Sequence, residues 1–117
     1  MRDELFHEIL KLRSRHGVNK TFNLDLGLEI NCRRHSTYMA SRRTLQGAPV
    51  NFLDGCFECI TIVDLYESIN HLMTVPETIV RHIEDNNNYL DNILHADVIE
   101  SYISVDHHTF YCCIRGR

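Results

Sequence analysis

Two segments of this sequence crowd residues that could do chemistry. The first is Cys56-x-x-Cys59. The second is the tail from Val105 to Ile114, which places His107, His108, Cys112 and Cys113 within seven positions. Zinc would need four nitrogen or sulfur ligands at about 2.0–2.3 Å. Read as strands, the two segments oppose that use. Adjacent residues of a strand point to opposite faces, so His107 parts from His108 and Cys112 from Cys113. His108 and Cys112 share a face but stand about 13 Å apart at about 3.3 Å per residue. A metal-binding knuckle at Cys56–Cys59 would need a turn there, and the turn residues, Asp54-Gly55, come earlier. Packing of reduced, buried thiols is the expectation, with no metal and no cofactor.

A second pattern is the repeated H-x-T: His35-Ser36-Thr37-Tyr38 and His107-His108-Thr109-Phe110. On a strand each His and its Thr would project from one face. The pair resembles the H-x-T signature of the 2H phosphoesterase family, which acts on 2′-phosphate-type linkages in RNA and cyclic nucleotides. That resemblance implies His35 and His107 as general base and acid and Thr37 and Thr109 as holders of the phosphate. It requires the two histidines to converge on one groove.

Charge offers a third candidate. The chain is 117 residues long with a net charge of −4, but residues 1–47 sum to +4 and residues 48–117 to −8. Arg33, Arg34, Arg42 and Arg43 surround Tyr38, an arrangement that could hold phosphates and stack a base. The overall negative charge disfavours nucleic acid as the main partner. Glu77, Glu84, Asp85, Asp91, Asp97 and Glu100 form an acidic set suited to a basic protein partner. Folding the halves together would instead cancel much of both charges.

The elements that must position these residues follow from periodicity. Leu5, Ile9 and Leu12 stripe a helix over 3–16, with Asp3 and Glu4 at its start and Gly17 at its stop. Phe22, Leu24, Leu26, Leu28, Ile30 and Cys32 alternate with polar residues, which predicts a strand with one buried face. Residues 34–44 read as a second strand, Val50 to Leu53 as a short extended piece, and the segment ending at Val63 as a third strand. Capping patterns at Asp64/Glu67, Thr74/Glu77 and Asp97/Glu100 predict helices starting before Leu65, Val75 and Val98. Leu90, Ile93 and Leu94 suggest a further turn or two. The tail reads as a last strand.

The length fits one domain, 1–117. The expected class is α+β, with a small antiparallel sheet of about four strands and helices packed on one face. No apolar run is long enough to span a membrane, and the N-terminus lacks an export signal. Together with five cysteines, an odd number, these features point to the cytoplasm. Neither a Gly-rich phosphate loop nor a nucleophile elbow is present. The reading carried forward is a non-enzymatic module, a small adaptor or inhibitor that docks on another protein through a charged surface. The alternative is a phosphodiesterase built on the two H-x-T pairs.

Overall fold

The computed structural model describes residues 1–67 and 72–117. Its first element, α1 (Arg2–Arg15), buries Leu5, Ile9 and Leu12 as their spacing requires. The charges at its two ends match the helix dipole. Gly17, at φ +80°, carries the chain away through the left-handed region that L side chains avoid.

The next segment is the main correction. The two strands expected over 22–32 and 34–44 form one helix, α2 (Leu26–Arg42). Asp25 caps it, accepting the Leu28 amide at 2.9 Å. Leu28, Cys32, Ser36 and Met39 are its buried residues, at a helical spacing that the period-two pattern concealed. Leu24, Leu26 and Ile30 complete the apparent alternation, yet all three are exposed. Only Asn23 behaves like a strand residue, through a single parallel bridge to Val98. Arg43 ends α2 in the left-handed conformation. Val50–Phe52 is a 3₁₀ turn rather than an extended piece.

β1 (Phe57–Asp64) is the strand expected there, preceded by a turn with Asp54 and Gly55 at positive φ. Asp64 belongs to that strand, and Leu65–Glu67 form a turn. The remainder of the helix expected from Leu65 extends into residues 68–71, outside the described residues. α3 (Val75–Glu84) starts where Thr74 accepts the Glu77 amide. α4 (Asn87–His95) is capped by Asn86. The helix expected before Val98 is instead β2 (Ile99–Asp106). Asp97 and Val98 donate their amides to the Arg117 carbonyl, so tertiary pairing overrides the local cap. The tail is not one strand. The chain turns at His107 and His108, then returns as β3 (Thr109–Gly116).

The sheet has three strands rather than about four, in the order β1-β3-β2, with both pairings antiparallel. The α+β class stands. Helices cover both faces rather than one. On one face, Cys32 and Met39 of α2 meet Tyr111 and Cys113 of β3. On the other, residues of α1, α3 and α4 such as Ile9, Ile79 and Ile93 pack with Cys59, Cys112 and Ile114. Covering both faces is what requires the nearly unbroken apolar run in β3. At Gly116, in the central strand, an added Cβ would overlap the Val98 carbonyl oxygen and stand 2.6 Å from the Phe57 ring. Among the described residues no helix is long and apolar enough to cross a membrane.

Candidate functional site

Folding pairs the basic N-terminal part with the acidic C-terminal part. Glu84 meets Arg15 at 3.5 Å and His16 at 2.9 Å. Asp97 meets Lys20 at 3.1 Å. Glu100 is fully buried, bound by Arg2 at 2.7 Å and by the Asp25 amide at 2.8 Å. Asp91 lies 3.4 Å from His95. Of the six acidic residues singled out, only Glu77 and Asp85 have no ion-pair partner among the described residues.

The basic residues fare differently. Arg43 pairs with Asp106 at 2.9 Å. Arg33 lies over the Tyr102 ring at 5.3 Å and Arg42 over Tyr38 at 5.2 Å. Arg34 is exposed and has no charged partner among the described residues. It borders a cleft of about 470 Å³ between α2 and residues 46–52, which also involves His35, Tyr38, Phe52 and Arg115.

The wall of this cleft is built on a buried ion pair. Arg115 of β3 donates to Oε2 of Glu58 from Nε at 3.1 Å and from Nη2 at 2.8 Å. Their strand register places them directly opposite. Glu58 Oε1 accepts the Ala48 amide at 2.9 Å, which ties the loop to the sheet. His35 Nε2 lies 2.7 Å from the Gln46 carbonyl, a bond in which the imidazole must donate. Its Nδ1 is then an acceptor in the neutral ring and a second donor in the charged ring. The same Nε2 is 3.9 Å from Glu58 Oε2. Tyr38 stacks beside His35 with centroids 6.1 Å apart. The cleft is therefore lined by a guanidinium without a charged partner among the described residues, a largely buried imidazole and two exposed aromatic rings.

The H-x-T residues do not converge. His35 stands at the Glu58–Arg115 end of the sheet, whereas His107 occupies the hairpin turn beyond Thr109. Six residues of β3 separate those ends, about 20 Å at strand rise. Thr37 shares a helix with His35, so the two project about 200° apart. Its hydroxyl lies 3.3 Å from that of Ser104. The Thr109 hydroxyl donates to Asp64 at 3.3 Å. The groove that acid–base chemistry on one phosphate requires is not formed by these four residues.

Among the described residues, no three His, Cys, Asp or Glu side chains are grouped to hold a metal ion. Burial pushes the Cys59 thiol up to about 12 and that of Cys112 higher still. Both therefore resist becoming the thiolate that ligation or attack requires. Sequence reasoning missed Glu58, Arg115, Phe52 and the loop at 46–49. Arg115 and Glu58 could have been sought as charges inside otherwise apolar strands.

No family model and no curated protein matches this sequence. Solved structures do share its fold. An outer surface protein from Borrelia burgdorferi superposes with a TM-score of 0.70 at 14% identity, covering 98% of this chain and 90% of that one. NaASP2, solved with Zn²⁺, gives 0.67 at 10% identity, covering 98% and 77%. The hookworm platelet inhibitor gives 0.64 at 10% identity, covering 100% and 68%.

Proposed function

We propose that this domain is a non-enzymatic protein-binding module, an adaptor or inhibitor, that docks an acidic segment of its partner in the cleft between α2 and residues 46–52. The observation that carries the reading is Arg34. It is an exposed cation without a charged partner among the described residues, set in a concave surface between Tyr38, 41% exposed, and Phe52, 67% exposed. Arginine and aromatic residues are the side chains that dominate binding energy at interfaces. The Glu58–Arg115 pair and the Ala48 amide hold the walls in place, which limits the ordering cost of binding. The exposed Leu26 and Ile30 extend the same helix with apolar surface. The docking surface is thus cationic, whereas the sequence had favoured the acidic half. The shared fold with a platelet inhibitor of hookworm is compatible with an inhibitor role. A reducing compartment such as the cytoplasm suits five unbonded cysteines.

The test is selection of binders from a displayed random-peptide library, followed by titration against variants. Selected peptides should be rich in Asp and Glu. Arg34→Glu and Tyr38→Ala should each weaken them at least about tenfold, while Arg81→Glu, on α3, should leave them unchanged. Selected peptides that bind Arg34→Glu as tightly as the parent would overturn the proposal.

A further inference from the structure

We propose that the outer edge of β2 is a strand-addition site for an extended, acidic segment of another protein, separate from the α2 cleft. Three observations carry this. Among the described residues β2 is an edge strand, paired with β3 on one side and touched on the other only at its start, by Asn23. Its outward-facing groups can be identified from the register. The Ile99 amide donates away from β3 to the Asn23 carbonyl at 3.1 Å, while Val98 exchanges bonds with Arg117. Antiparallel alternation then turns the N–H and C=O of Ser101, Ile103 and Val105 outward as well. Beyond Asn23 no described residue extends that pairing, because Asp25 turns the chain into α2.

The second observation is a groove of about 480 Å³ beside that edge. Arg33, Thr37, Ala40 and Ser41 of α2 form one wall, and residues 102–106 of β2 form the other. A helix running beside an open sheet edge can hold an added strand between them. Proline, a bulge or an inward-pointing lysine commonly protects such edges. Val105, by contrast, stands 54% exposed on this one.

The third observation is charge. Asp106 is occupied by Arg43, so the guanidinium of Arg33, held over the Tyr102 ring, is the uncompensated charge of the groove. A second copy pairing β2 with β2 across a two-fold axis would bring two Arg33 side chains into one groove, which like-charge repulsion opposes. An acidic strand neutralises it. The pleat sets the pattern of the segment: every second side chain faces α2 and Tyr102, and the others lie beside Ile103 and Val105. Acidic residues belong at the first set and apolar residues at the second. Arg33 and its neighbour Arg34 thus serve different surfaces, being about 100° apart on the helix.

The experiment is amide hydrogen exchange by NMR on the full chain, with an end-blocked seven-residue peptide alternating glutamate and valine as the probe. In the free chain the Ile103 and Val105 amides should exchange rapidly. Saturating peptide should slow both by about tenfold or more. Two controls separate strand addition from simple charge attraction. The same peptide N-methylated on the amides that would face β2 should fail to protect. Arg33→Glu should weaken the protection of Ile103 and Val105 about tenfold, while Arg81→Glu, on α3, should leave it unchanged. Equal binding by the N-methylated peptide overturns the proposal, as does absence of slowing by the unmodified one. Protection in the free chain that grows with protein concentration would assign the edge to a second copy. Protection independent of concentration would mean the edge is already covered. Either also overturns it, without touching the Arg34 cleft.

Discussion

Glu58→Gln is the substitution that tests the architecture of the cleft most directly. The change preserves side-chain shape and one acceptor oxygen, but it removes the charge facing Arg115. Both side chains are almost fully buried, 8% exposed for Glu58 and 7% for Arg115. An amide group must also turn its NH₂ toward either the guanidinium or the Ala48 amide, and both are donors. A buried charge left without its partner costs about 3–5 kcal/mol. A chain of this length has a total stability of roughly 6–17 kcal/mol at 0.05–0.15 kcal/mol per residue. With a urea dependence of about 1–3 kcal/mol per molar, the unfolding midpoint should fall by on the order of 1–5 M. Arg115→Met in the same background should recover part of the loss, since an apolar pair needs no partner charge. Urea unfolding followed by circular dichroism supplies both numbers. A Glu58→Gln midpoint within about 0.3 M of the parent would refute the reasoning, because the pair would then be effectively solvated.

Gly116→Ala should destabilise by about 2 kcal/mol or more, because its Cβ would overlap the Val98 carbonyl and the Phe57 ring; an unshifted thermal midpoint would contradict the strand packing. Thr74→Ala should cost about 1 kcal/mol through loss of the α3 cap, and Thr74→Ser should restore most of it in the same unfolding assay. Acid should destabilise the fold. The His16 hydrogen bond holds Glu84 below the usual carboxylate range, and the Leu28 amide, then Arg117, does the same for Asp25. A carboxylate with a depressed folded-state value contributes fully above its unfolded value and loses that contribution as pH falls through the folded one. The urea midpoint should therefore drop between about pH 5 and pH 3, and Asp25→Asn with Glu84→Gln should flatten that drop.

Local signals were readable where one structure alone satisfied them. The stripe of Leu5, Ile9 and Leu12 fits only a helix, and Thr74 before Pro76 and Glu77 is a helix start whatever surrounds it. At residues 22–32 two periods competed. Leu24, Leu26 and Ile30 made the alternation look complete, but they are exposed apolar residues, the kind an interface leaves uncovered. The helical positions Leu28, Cys32 and Met39 and the Asp25 cap were the signals to weigh against them. The same misreading placed His35 and Thr37 on one strand face, and so suggested a catalytic pair that a helix pulls apart.

The sequence by itself determined the α+β class, the elements with strong stripes and caps, and the opposite facing of Cys112 and Cys113, because these depend on contacts within a few residues. Only the tertiary structure decided which charges remain free. Arg2, Arg15 and Lys20 are spent on Glu100, Glu84 and Asp97, partners 69 to 98 positions away in the chain, and spacing within a segment carries no record of such pairings. It also decided that Asp97 and Glu100 serve β2 and the N-terminus of α2 rather than a helix cap. The Arg117 carbonyl and the Asp25 amide offered those groups bonds that the local chain could not. Among the described residues, Arg33 beside the β2 edge and Arg34 beside the 46–52 loop are left without an ion pair.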